Sequence, residues 1–279
     1  MNYHLILQGL NTELTQIQTL ANMANARDIT LIAPNVYRCS YVDFNTKETV
    51  SEYAFQAQLD ATFIPENLQR DQFKLVAMDM DSTLITIECI DEIADLQGLK
   101  KQVSEITEAA MRGELDFTQS LQQRVALLKG LDESALANVY NTRLKLSPGA
   151  KEMLTYIQSF GIKTLLVSGG FTFFTNQLKQ ELNLDFTHAN TLEIENGKLT
   201  GRVLGKIVDA EEKKETVIRT CNTLGINPKE AIVIGDGAND LKMMGISGLS
   251  VAFRAKPIVR NATHVAFNFV GLDGLTHLF

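Results

Sequence analysis

Short apolar runs alternate with helix-patterned stretches through most of this chain, and several of the runs end in polar motifs. From Phe73 onward, Phe73–Met78, Lys163–Val167 and Ala231–Ile234 are too brief for buried helices and read as strands. Val251–Phe253 and Val265–Phe267 read as two more. Between them, Ile90–Leu96, Gln102–Met111, Phe117–Leu128, Glu133–Leu144, Phe171–Leu182 and about Glu211–Leu224 place apolar residues at helical spacing. Pro148-Gly149 opens a further helix that ends before Gly161, and a short one starts near Asn239. Thr191–Gly205 reads as a hairpin around Asn196-Gly197, a pair suited to the positive backbone angles of a tight turn. This alternation predicts an α/β fold with a mostly parallel, doubly wound, Rossmann-like sheet under helices on both faces. Ligands of such sheets bind beyond the carboxyl ends of the strands. What stands at those ends therefore decides what the chain can do.

The first seventy residues have a different texture. Tyr3–Leu7, Ile29–Ala33 and Val36–Val42 read as strands, the last two separated by Pro34-Asn35. A helix capped by Asn11 or Thr12 runs through Leu20 and Met23. Tyr53–Phe63 is helix or strand, and its periodicity does not decide which. The polar run Glu66–Gln72 marks a boundary. At about 150 residues per domain the 279 residues predict roughly two domains: a small α+β unit over 1–70 and a larger one over 73–279. A chain beginning near Gln69 is expected to fold and keep its chemistry.

Composition removes several functions. Lys plus Arg less Asp plus Glu is 26 − 33 = −7, which argues against a nucleic-acid binder with its usual basic face. Cys39, Cys89 and Cys221 are far apart with no Cys-x-x-Cys pair, and His4, His188, His264 and His277 are equally scattered. Neither a disulfide framework nor a zinc site is expected. No apolar run approaches the length of a membrane span, and the N-terminal residues lack a signal-peptide pattern. A cytoplasmic protein with no membrane or nucleic-acid partner is expected.

Three strand ends carry polar motifs. Asp79-Met80-Asp81-Ser82-Thr83-Leu84 follows the first strand of the larger unit. Two carboxylates there cost desolvation unless a cation offsets them, and a divalent ion is the simplest partner. Ser168-Gly169-Gly170 ends a strand and opens a helix, where free amides face an anion. Gly235-Asp236-Gly237-Ala238-Asn239-Asp240 ends another and lacks the acidic spacing of an EF-hand. Each alone is a plausible plain turn. Together they suit a magnesium ion and a phosphate. Lys213 and Lys214, at a helix start where lysine opposes the dipole, offer a cation, although a solvated surface pair explains them equally well.

At these residues the sequence resembles the haloacid dehalogenase superfamily, in Asp79-x-Asp81, Ser168, a lysine at 213 and Gly235-Asp236-Gly237-x-Asn239-Asp240. Glu88 with Ile90-Asp91-Glu92-Ile93-Ala94, Met111 to Phe117, and Ser120-Leu121 with Arg124-Val125 narrow the resemblance to its phosphoserine phosphatases. The resemblance runs from about Leu75 to Phe279, while residues 1–70 resemble only loosely the ACT-like extensions of bacterial members. It implies a helical cap, at about 90–147, inserted after the first strand, and hydrolysis of O-phospho-L-serine as the last step of serine biosynthesis. It implies that Asp79 is the nucleophile, Asp81 the general acid and base, and that Mg2+ is held by Asp79, Asp81 through its main-chain carbonyl, and Asp236. Ser168, Gly169, Lys213 and Asn239 would bind the phosphoryl group, with Asp240 orienting the metal ligands from behind. Glu88 would face the substrate ammonium and Arg124 its carboxylate, with Met111 and Phe117 walling the pocket. The adjacent lysine leaves Lys213 or Lys214 as the phosphate contact, with Lys213 preferred. An open sheet edge in the N-terminal unit makes a homodimer a further expectation. Another phosphatase of the superfamily, or a metabolite-binding protein without activity, would share parts of this pattern.

Overall fold

The computed structural model describes residues 2–279, with the side chain of Met111 outside that description. The N-terminal part runs β1 (Tyr3–Gln8), α1 (Leu14–Met23), β2 (Asp28–Ala33), β3 (Val36–Val42), α2 (Lys47–Gln56) and β4 (Asp60–Pro65). These strands form an antiparallel sheet in the order β2-β3-β1-β4, the ferredoxin-like arrangement of a β-α-β-β-α-β chain. The undecided stretch Tyr53–Phe63 is both things. It holds the end of α2, a turn through Gln58 (φ 59°) and the start of β4. The expected cap of α1 is also corrected. The N-cap is Glu13, with no side-chain bond, because the Thr12 hydroxyl bonds Asn35 instead.

The larger part follows as β5 (Leu75–Met78), α3 (Cys89–Asp95), α4 (Lys100–Met111), α5 (Phe117–Ala126), α6 (Ser134–Thr142), α7 (Ala150–Ser159), β6 (Lys163–Phe171) and α8 (Thr172–Glu181). It continues through β7 (Phe186–Glu195), β8 (Lys198–Leu204), α9 (Ala210–Leu224), β9 (Ala231–Gly235), α10 (Leu241–Ile246), β10 (Leu249–Phe253), α11 (Pro257–Arg260) and β11 (Val265–Phe267). Phe73 stands outside β5, which begins two residues later than the apolar run suggests. The seven strands are ordered β11-β10-β9-β5-β6-β7-β8, all parallel except the final β7–β8 hairpin. Asn196 and Gly197 take positive φ at its turn, as their types favour.

Burial on both faces explains the continuous apolar strands. Leu75 and Ala77 pack into one core with Val217 and Met243, while Val76 and Met78 pack into a second with Ile93, Met153 and Phe171. The N-terminal sheet has its own small core on the helix side, built on Leu5, Leu7, Ile17 and Leu20. Its opposite face contributes Ile6, Val36 and Ile64 to the larger core. The four helices α3–α6 are inserted just after β5. Chain leaving and chain returning pair at an isolated bridge, Ile85 to Leu146, and Thr86 N–H donates to the Lys145 carbonyl at 2.9 Å. The far side of the insertion is tied to the β7–β8 hairpin by backbone bonds from Gly130 to Leu199 and from Glu133 to Gly197. No described helix is long and apolar enough to cross a membrane.

Candidate active site

β5, β6 and β9 are adjacent, so their carboxyl ends bring Asp79, Ser168 and Asp236 to one place. Asp79 is buried (5% exposed), and its backbone N–H still donates to Ile234 of β9. Oδ1 accepts from Met80 N–H at 2.7 Å and Oδ2 meets Lys213 Nζ at 2.7 Å. Lys213 lies in the first turn of α9 and is 1% exposed. That helix starts at Asp209, whose carboxylate accepts from Glu212 N–H, and the cap fixes where the lysine projects. Lys213 also reaches Asp240 Oδ1 at 2.8 Å, whereas Lys214 points outward to Glu211. Of the two lysines, Lys213 is the one brought to the Asp79 carboxylate.

Asp236, Asp79 and Asp240 offer carboxylate oxygens that all lie within 4.8 Å of one another. Asp236 is held by the Thr83 hydroxyl at 2.9 Å, and Asp240 accepts from the backbone N–H groups of Asp236 and Gly237. Glycine at 235 makes this possible, because a Cβ there would collide with the Asp240 carboxylate. The Asp81 side chain turns away from this cluster. Its Oδ1 accepts from Cys89 N–H at 2.9 Å and its Oδ2 lies 3.5 Å from Ser168 Oγ, across a gap that a Cβ on Gly170 would close. Ser82 takes left-handed backbone (φ 56°), an unfavourable conformation for a non-glycine residue, and so turns the chain back toward Glu88. Its hydroxyl donates to Glu88 at 2.7 Å.

Electrostatics show charge in excess. Burial first, and the Asp240 charge next, push Asp79 well above the usual carboxylate range, with Lys213 opposing them. The same two causes bring Asp236 up to about 6. Burial would lower the Lys213 ammonium, but Asp240 and Asp79 together outweigh it and its pKa rises. Three carboxylates around one ammonium remain net negative. An all-oxygen donor set with spare negative charge fits a hard divalent cation. Burial also raises Asp81, against the bond from Cys89 N–H.

The insertion supplies the opposite wall. The Phe117 ring lies over Gly169, where a Cβ would sit 2.9 Å from it. Glu88 reaches solvent yet sits deep among protein atoms; this loss of water, then the Asp81 charge, pushes it up to about 8. Arg124 is half-buried and, among the described residues, makes only a long bond (3.4 Å) from Nε to the Ser120 carbonyl. Burial lowers it, against the nearby charges of Asp91, Glu88 and Asp81. Asn239 is half-buried beside Gly237. Met111, expected to wall the pocket, lies outside the described side chains.

Residues 73–248 match the haloacid dehalogenase-like hydrolase family. The chain belongs to that family. This haloacid dehalogenase-like hydrolase is 55% identical over 217 residues to a phosphoserine phosphatase of Polaromonas sp. (strain JS666), covering 76% of this chain and 92% of the relative. It is 41% identical to the phosphoserine phosphatase of Haemophilus influenzae over 97% of this chain and 86% of that one. Among solved structures, a haloacid dehalogenase family hydrolase from Salmonella enterica serovar Typhi superposes with TM-score 0.90 at 33% identity, covering 100% of this chain and 98% of that one. A probable phosphoserine phosphatase from Vibrio cholerae, in unliganded form, gives 0.84 at 36% identity, covering 99% and 86%.

The sequence reading did not single out Thr83 as a support of Asp236. It also passed over Asn190, which is 2% exposed and bonds two site loops. β7 is rich in polar residues and mostly half-buried or exposed, so its sequence does not set Asn190 apart.

Proposed function

We propose that this hydrolase is a phosphoserine phosphatase, cleaving O-phospho-L-serine to L-serine and phosphate as the last step of serine biosynthesis in the cytoplasm. The observation that carries the reading is the pairing of two differently placed carboxylates on one strand end. Asp79 is paired with the Lys213 ammonium at 2.7 Å, whereas Asp81 turns away from it and is directed at Ser168.

Asp79 attacks phosphorus in line, and the bond from phosphorus to the serine oxygen breaks with its electron pair leaving on that oxygen. Asp81, whose carboxyl burial pushes upward, gives its proton to the departing oxygen. Asp81 then takes a proton from water as that water attacks the aspartyl-phosphate, which frees phosphate and restores Asp79. Ser168, the Gly169 amide, Lys213 and Asn239 bind the phosphoryl oxygens. Asp79, the Asp81 main-chain carbonyl and Asp236 are the groups to hold Mg2+, with Asp240 fixing the loop behind them and securing Lys213. When bound, the ion neutralises phosphoryl charge and the mutual repulsion of the carboxylates. The inserted helices act as a cap, in which Glu88 meets the substrate ammonium, Arg124 its carboxylate, and Phe117 and Met111 exclude water. Residues 1–70, packed against the larger part, are a small α+β unit through whose free edge strand two copies pair.

The test is phosphate release from a panel of small phosphate esters, with and without magnesium, for wild type and Asp79→Asn. Phosphoserine as the preferred ester, magnesium dependence, and a base-labile phosphoenzyme absent from folded Asp79→Asn support the reading. Substantial turnover by the folded variant would sink the nucleophile assignment.

A further inference from the structure

We infer that Asn190 is a positioning residue that holds the two phosphate-facing loops in mutual register; this rests on the phosphatase reading above. The β6–β7 ladder is interrupted just where the site begins. Val167 pairs with His188 and Phe171 with Asn190, so Ser168, Gly169 and Gly170 together stand opposite the single residue Ala189. The three bulge out of the sheet. That bulge frees the Gly170 N–H to donate to Ser168 Oγ at 2.8 Å, which orients the hydroxyl.

A bulge leaves backbone groups without ladder partners, and buried ones must be satisfied some other way. Asn190 does this with its side chain. Nδ2 donates to the Gly169 carbonyl at 2.7 Å, and Oδ1 accepts from the Val208 N–H at 2.8 Å. The second bond fixes the orientation of the amide, since only an oxygen can accept from that N–H. Val208 immediately precedes Asp209, the cap of α9, and the Lys213 N–H donates to the Asp209 carbonyl. One side chain thus connects the loop carrying Ser168 to the helix start carrying Lys213. β7 contributes no other group to these two bonds. Both bonds of the Asn190 amide go to backbone groups, so its part is positioning.

Neither Ser168 nor Lys213 can be placed by its own strand alone, because the first lies in a bulge and the second in the first turn after a loop. A misplacement of about 1 Å at such groups can cost about a hundredfold in rate. Asn190→Ala removes both bonds. Asn190→Asp is nearly isosteric, keeps the acceptor for Val208 and loses the donor to Gly169. The comparison is Gln158→Ala, which deletes another side-chain amide bonded to two carbonyls, those of Leu182 and Asn183, away from the site.

The experiment measures kcat, KM, the inhibition constants of inorganic phosphate and L-serine in magnesium, and thermal stability. For both Asn190 variants kcat is expected to fall about tenfold or more and the phosphate constant to weaken about tenfold, with the serine constant within about twofold. Gln158→Ala should lower stability with all kinetic constants retained. If Asn190→Ala does not fold, Asn190→Asp carries the test. Folded Asn190 variants with wild-type kcat and phosphate affinity, changed only in stability, would overturn the proposal. Failure of the phosphatase reading is distinct: wild type would then not release phosphate from phosphoserine, whatever Asn190 does to phosphate binding.

Discussion

Lys213 Nζ lies 2.7 Å from Asp79 Oδ2, with both side chains almost fully enclosed. The ammonium is the only positive group that directly contacts Asp79 among the described residues, and Asp240 shares it at 2.8 Å. The lysine opposes the burial and the Asp240 charge that push the Asp79 carboxyl upward.

Removing that cation should be costly in two measurable ways. Lys213→Met leaves two buried carboxylates unpaired, and breaking a buried pair costs about 3–5 kcal/mol in unfolding free energy of the metal-free protein. Its kcat should fall about 10²- to 10³-fold, the usual loss for one charge-stabilising donor. Lys214→Met should leave stability nearly unchanged, because Lys214 is paired only at the surface with Glu211 and Glu215. Denaturant melts and steady-state rates of the two variants decide the matter. Equal losses would show that adjacent lysines share the role.

Substrate selection should reside in the insertion. Arg124 is half-buried, feels the charges of Asp91, Glu88 and Asp81, and has no carboxylate within ion-pair distance among the described residues, so its charge is available to a ligand. Arg124→Ala should raise KM for phosphoserine roughly ten- to a hundredfold, from about 1.5–3 kcal/mol for a charge-assisted contact. An aryl phosphate lacking a carboxylate should lose far less. Parallel losses on both esters would make Arg124 a structural residue.

Glu88 gives a pH signature. In metal-free protein its carboxyl should titrate near 8, held up by its enclosed position and by the Asp81 and Asp236 charges. Between the ordinary glutamate value of about 4.5 and about 8, the folded state keeps a proton that the unfolded chain has lost. Its contribution to stability is therefore fully present below about 4.5 and lost as pH rises through about 8. Magnesium should lower the value, because it offsets the carboxylates that raise it. Carbon-13 titration of labelled glutamate, with Glu88→Gln for assignment, measures this directly. A value insensitive to magnesium would contradict the placement of the ion beside Asp81 and Asp236.

Much of this architecture was legible because strands buried on both faces are continuous apolar runs. The runs Phe73–Met78 and Ala231–Ile234 located two strands to within two residues, and their carboxyl ends carried Asp79 and Asp236. Lys213 was preferred over Lys214 only through the resemblance, since successive helix residues point about 100° apart and spacing alone does not show which faces inward. The central place of Asp240 depends on an absent Cβ at Gly235, a relationship between backbones that spacing does not encode. Asn190 serves a bulge, and the bulge exists only once β6 and β7 are paired. The stretch Tyr53–Phe63 defeated periodicity because a turn at Gln58 splits it between two elements.

The seam between the N-terminal sheet and the larger part bears on whether a chain starting at Gln69 would stand alone. Asp60 of β4 is 1% exposed and accepts four bonds from the far end of the chain: the Asn268 N–H and side-chain amide, and the Phe269 and Val270 N–H groups. Gln8, equally buried, bonds the Gly274 carbonyl and His277, while Ile6, Val36 and Ile64 join the large core. Deleting residues 1–68 would expose those amides and one apolar side of residues 249–278. The same segment reaches the insertion, since Leu272 N–H donates to Pro148, just beyond the returning chain at Leu146. The shortened chain, if folded, should therefore keep its chemistry with a clearly lower melting temperature. Asp60→Ala in the full chain isolates the seam. It strands several buried donors at about 1–3 kcal/mol each, so a loss of about 3 kcal/mol or more is expected with kcat within about twofold. Chemical denaturation and steady-state kinetics of both proteins provide the check. A shortened chain as stable as the full one would show that the seam contributes nothing to the fold, and a folded one with kcat reduced by orders of magnitude would show that the N-terminal sheet shapes the site through Pro148.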